Sequence, residues 1–101
     1  MKPDMGIFLV RSNKTNKCYI ETSQNLDAFI NRTLFQLNYG SHPNKELQKA
    51  WNEDGAATFT VEILEKLKYD KDESKTDYSE ELEVLKMIWE EKLVKENTEI
   101  Y

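Results

Sequence analysis

Apolar and polar positions alternate in blocks that name their own secondary structure. Gly6-Ile7-Phe8-Leu9-Val10-Arg11 is a short apolar run read as a buried strand. Ser12-Asn13-Lys14-Thr15-Asn16 is turn-forming, and Lys17-Cys18-Tyr19-Ile20-Glu21-Thr22 reads as a second strand, so the two predict a β-hairpin. The period then changes. Leu26, Phe29, Ile30, Thr33, Leu34 and Leu37 recur at helical spacing, with Ser23 or Asn25 as the N-cap and Gly40 at the C-terminal cap. A second, shorter helix opens after His42-Pro43, with Asn44 as cap and Leu47, Ala50 and Trp51 on one face, and Gly55 closes it. Thr58 to Glu65 alternates as a strand, with Phe59, Val61 and Ile63 predicted to face the helices. Residues 66–78 form a charged connector without apolar period, expected to be mobile. Asp77 with Glu80 resembles a capping box for a last helix carrying Leu82, Leu85, Trp89 and Leu93. Residues 96–101 are expected to fray.

The order ββααβα predicts an α+β fold: a small three-stranded antiparallel sheet flanked by helices. With 101 residues the chain has room for one domain, 1–101, with its core at about 6–95. No run approaches the roughly 18 to 20 apolar residues of a membrane span, and no secretory segment stands at the N-terminus. Cys18 is the single cysteine, which excludes an internal disulfide and a cysteine metal site and suggests a cytoplasmic setting.

The net charge of −5 is unevenly placed. Residues 1–52 carry seven basic and four acidic side chains, a net of +3; residues 53–101 carry seven and fifteen, a net of −8. A phosphate backbone is attracted only to the first half, through Arg11, Lys14, Lys17, Lys45 and Lys49. The second half repels it.

Gly6-Ile7-Phe8, a ten-residue gap and then Tyr19-Ile20-Glu21 resemble the paired tripeptides that name the GIY-YIG endonucleases. Ser41-His42-Pro43-Asn44-Lys45 with Leu47-Gln48 and Ala50-Trp51-Asn52, then Gly55 and Phe59, are similar to the homing-endonuclease-like members, so that the resemblance covers roughly residues 6 to 93. It implies metal-assisted phosphodiester hydrolysis, carried by tyrosine, arginine, histidine and a metal-binding glutamate.

Residue by residue, the match is incomplete. Phe8 stands for the first motif tyrosine, while Tyr19 keeps the second. Glu21 replaces the closing glycine. Phe29 stands at the arginine position, with Arg32 three residues on and about 60° around the helix. Thr33 replaces one histidine and His42 keeps the other. Lys86, three residues before Trp89, occupies the position of the metal glutamate. Tyr19, Arg32 and His42 are therefore vestigial catalytic candidates.

The expected function is a catalytically degenerate domain serving as a binding or regulatory module, with no cofactor. Its expected partner is a protein or weakly bound nucleic acid. One alternative is a divergent endonuclease using Tyr19, His42 and Arg32, with Mg²⁺ or Mn²⁺ held by Glu21 or Glu83. Another is an acidic DNA mimic or inhibitor, suggested by the −8 half. The homing-nuclease-like stretch implies a phage or mobile-element setting.

Overall fold

The computed structural model describes residues 2–101. Its elements are β1 (Met5–Ser12), β2 (Cys18–Ser23), α1 (Leu26–Tyr39), α2 (Lys45–Asp54), a 3-10 turn (Ala56–Thr58), β3 (Phe59–Leu67) and α3 (Ser79–Lys95). The strands form one antiparallel sheet in the order β2-β1-β3, so the architecture is the expected α+β, ββααβα.

The central strand explains the unbroken apolar run at the start of the chain. Met5, Ile7 and Leu9 of β1 pack with Cys18 and Ile20 against Tyr78, Leu82, Leu85 and Leu93. Phe8 and Val10 point the other way, toward Leu26, Leu37, Leu47 and Trp51. A strand covered on both faces has no solvent side and so no polar alternation. α3 therefore covers one face of the sheet, and α1 with α2 the other.

Local chemistry sets the helix ends. The Asn25 side chain accepts from Ala28 N–H at 3.2 Å, and Asn44 accepts from Leu47 N–H at 3.1 Å. Each bond satisfies a first-turn donor. Gly40 ends α1 in the left-handed conformation, φ 74°.

Several expectations give way. β3 runs on through Lys66 and Leu67, which shortens the connector. A β-bulge shifts the register between Ile7/Phe8 and their partners, pairing Ile7 with Glu65 but Phe8 with Ile63. The bulge turns Leu64 toward α3, and Ile63 lies 42% exposed where neither α1 nor α2 covers it.

The connector is tied down rather than loose. Tyr78 is buried, its N–H donates to the Gln24 side chain at 3.1 Å, and its hydroxyl accepts from Asp70 N–H at 2.9 Å. Asp77 accepts from Ser79 N–H at 3.0 Å, and this short turn replaces the expected box with Glu80. Residues 96–101 also depart from expectation. Cys18 N–H donates to Glu99 O at 2.9 Å and Tyr101 N–H to Cys18 O at 2.8 Å, docking the tail against the open edge of β2. No helix among the described residues is long and apolar enough to cross a membrane.

Candidate functional site

Alternation along β2 puts Cys18 and Ile20 under α3 and leaves Tyr19 and Glu21 on the opposite face. Opposite them stand Val10 and Phe8 of β1. Because β2 is an edge strand, a side chain from α3 can reach around it. Lys86 does so: its Nζ lies 3.3 Å from Glu21 Oε1. The second Glu21 oxygen accepts from the Tyr19 hydroxyl at 3.4 Å, and Oε1 also accepts from Thr22 N–H at 3.1 Å. Glu21 is thus enclosed by a cation, a phenol and a backbone amide. Around it Thr22, Ser23, Ser79, Glu83 and Lys86 line an open depression of about 440 Å³.

His42 completes the cluster from the start of α2. Its ring meets that of Tyr19 edge-on, with centroids 5.1 Å apart at 90°. Nδ1 accepts from Asn44 N–H at 3.0 Å, so the proton of the neutral ring sits on Nε2. The His42 N–H donates to Gln48 Oε1 at 3.0 Å, while Gln48 Nε2 donates to Leu37 O at 2.8 Å. Gln48 therefore clamps the loop that presents His42, a role that the sequence reading missed. A polar residue between Leu47 and Trp51 on a burying face was the available signal. A second open depression, about 660 Å³, lies beside His42 among Gly40, Lys45, Lys49 and Asn52.

The other expected residues separate into fillers and outliers. Phe8 is fully buried and packs on Phe29 with ring centroids 5.8 Å apart, so both occupy the space beneath the site as apolar core. Arg32 is exposed and bonds to none of Tyr19, Glu21, His42 or Lys86. Glu83 lines the depression without a bond to Glu21 or Lys86.

The basic residues offered for phosphate contact are mostly paired. Arg11 lies 3.7 Å from Glu62, Lys14 3.3 Å from Asp54 and Lys49 3.9 Å from Glu53. Lys17 bridges Glu46 and Glu99. Among the described residues Lys45 has no such partner. Surface pairs of this kind add little stability, but each cancels the local positive field that a polyanion would need.

Protonation follows from the same geometry. Burial first, and then the Glu21 charge, push the Tyr19 phenol up to about 12. Burial lowers the His42 imidazole against the opposing pull of the Glu21 charge. A base works best with its pKa near the operating pH, and at neutral pH this tyrosine holds its proton firmly.

The raised phenol also makes a stability prediction. Its folded pKa lies above the unfolded value of about 10, so the contribution is complete below pH 10 and is lost as pH rises toward 12. Partial exposure limits the loss to about 1–2 kcal/mol. In urea melts the stability of wild type relative to Tyr19→Phe should fall with rising alkalinity; a difference independent of pH would refute the assignment.

The donor set does not fit a divalent cation. Hard cations take oxygen ligands, and here an ammonium already neutralises the central carboxylate. Among the described residues no group of three or more His, Cys, Asp or Glu side chains gathers in a metal-binding arrangement.

No family model matches the chain. Intron-associated endonuclease 1 of Enterobacteria phage T4 is 30% identical over 67 residues, which cover 66% of this chain. The matched stretch spans 27% of that protein's length. Among solved structures, the catalytic domain of homing endonuclease I-TevI superposes with a TM-score of 0.74 at 24% identity, covering 95% of this chain and 96% of that one. A mutant of the same catalytic domain aligns with a TM-score of 0.59 at 29% identity, over 68% of this chain and 70% of that one. By sequence and fold together, the chain is homologous to the intron-associated endonuclease of phage T4 and has the fold of the I-TevI catalytic domain, a match consistent with a GIY-YIG, homing-endonuclease-like domain.

Proposed function

We propose that this domain is catalytically degenerate and acts as a binding or regulatory module. The observation that carries this reading is the Lys86–Glu21 ion pair beside Tyr19. It sets a fixed cation where the family's metal-binding carboxylate would stand and uses up the one acidic group next to the tyrosine. The phenol is pushed away from the range of a general base, and the arginine position is filled by Phe29. When several members of a catalytic unit are missing together, the remaining ones recover little of the rate.

The paired basic residues favour a protein partner over a nucleic acid. An acidic second half adds to that preference, since a basic protein surface would be drawn to it and a phosphate backbone repelled.

One observation favours a divergent endonuclease instead: Tyr19, Glu21 and His42 do converge. That reading requires Lys86 to release Glu21 to a metal. Labelled single-stranded, duplex and branched DNA, incubated with Mg²⁺ or Mn²⁺, distinguish the two. We expect no cleavage even at high protein concentration. Cleavage that disappears in Tyr19→Phe would establish the divergent enzyme and sink the degenerate one.

A further inference from the structure

α1 ends in an aromatic pair that the core does not use. Phe35 and Tyr39 are 61% and 74% exposed, and their rings stack with centroids 4.5 Å apart at 29°. Such an i, i+4 pair steadies a helix only slightly. Each ring meets its neighbour with one face, which leaves the other bare. Arg32 stands one turn before Phe35. Steps of three and four residues hold Arg32, Phe35 and Tyr39 within about 60° of one helix face, along about 10 Å of its length.

The positive charge on this face is free. Residues 28–45 contain no Asp or Glu, and their basic side chains are Arg32 and Lys45. Both are exposed, and among the described residues neither has a carboxylate partner. The pairing that neutralises Arg11, Lys14, Lys17 and Lys49 does not reach them. Gly40 and Ser41, next after Tyr39, line the depression of about 660 Å³ that Lys45 also lines. The bare rings therefore have an unpaired cation on either side along the chain.

We propose that Arg32, Phe35 and Tyr39 form a stacking platform for single-stranded nucleic acid, with the strand running on toward Lys45. Unpaired bases present flat π faces that extend a ring stack, and the phosphates between them meet the cations. Rings and charges thus call for the same ligand. A duplex keeps its bases stacked inside and offers phosphate alone, for which two cations are too few against the acidic half of the chain. A protein surface would gain only two rings in a polar row, with Asn31 and Asn38 exposed beside them, too small an apolar contact for stable association. The platform lies outside the cluster of Tyr19, Glu21 and Lys86. The proposal therefore goes beyond the function proposed above and leaves the acidic half free for a protein.

Fluorescence anisotropy of a labelled oligothymidylate, titrated at low salt in a metal chelator, tests it. The single strand should bind tighter than a duplex of equal length by roughly tenfold or more. Tyr39→Ala should weaken that binding by roughly tenfold and Tyr39→Trp should keep it, with the melting curve unmoved because the side chain is exposed. Arg32→Gln should lower the slope of log affinity against log salt by about 0.7. No binding at millimolar protein, equal affinity for the duplex, or binding indifferent to Tyr39→Ala each overturns the proposal. Binding that survives Tyr39→Ala but fails in Tyr19→Phe would move the strand to the old cluster and overturn it too. So would a doubled mass in sedimentation, abolished by Tyr39→Ala and without strand binding, which would give the face to a second copy. Because the chelator removes metal-dependent cleavage, none of these outcomes depends on whether the domain is catalytic.

Discussion

Gly6→Ala is expected to cost about 4 kcal/mol or more, enough to unfold much of the population in a domain of this size. A Cβ on Gly6 would lie 2.0 Å from the Glu65 carbonyl oxygen and 2.8 Å from Lys66 Cα. Both obstacles are backbone atoms, so no rotamer change relieves the clash. The residue also has φ +156°, rarely adopted by a side-chain-bearing residue. The contact arises where the bulge swings β3 across β1, so relief would need the register of the central strand to change. Gly40→Ala is the control. It has positive φ but nothing within 4 Å of the added carbon, and should cost only about 1 kcal/mol. Urea denaturation followed by circular dichroism reads both, and similar midpoints for the two variants would rule out the close approach.

Lys86→Glu should have the second largest effect, and its size should depend on divalent metal. In wild type the Lys86 ammonium lies 3.3 Å from Glu21, with both side chains about one third exposed or less. The substitution exchanges an attraction for a repulsion. After allowance for solvent screening, we expect a loss of about 2–3 kcal/mol without metal. Two carboxylates then face each other beside the Tyr19 hydroxyl, a set of hard oxygen ligands that the wild type lacks. Millimolar Mg²⁺ or Mn²⁺ should raise the melting temperature of the variant by several degrees and leave wild type unmoved. Equal shifts in the two proteins would mean that Lys86 does not exclude the metal. No shift in either would mean that the two carboxylates do not converge.

Much of the fold was legible because its signals are local. A residue's neighbours at two, three and four positions decide strand alternation, helix stripe and cap, and those gave the hairpin, α1, α2 and α3. The bulge was not legible, since the alternation of Phe59, Val61 and Ile63 continues through it and only the approach of Gly6 reveals the shift. The connector was misread because its anchors are distant: Tyr78 is secured by Gln24, 54 residues earlier. The site was legible as a set of replacements but not as an arrangement. Glu21 and Lys86 are separated by 65 residues, and nothing near either one announces that they neutralise each other. Arg32 shows the converse. Its proximity along the helix suggested a substitute for the missing arginine, yet its exposed position takes no part in the cluster.

The docked tail acts as a shutter. An edge strand is a template onto which another chain can polymerise, and β2 offers such an edge beside a buried thiol. By bonding to both backbone groups of Cys18, the segment at Glu99–Tyr101 blocks the first residue of that edge from within the chain. In the same movement Ile100 packs against the core cluster that holds the Cys18 side chain. Whatever lifts this short latch therefore frees a strand end and uncovers part of the core at once.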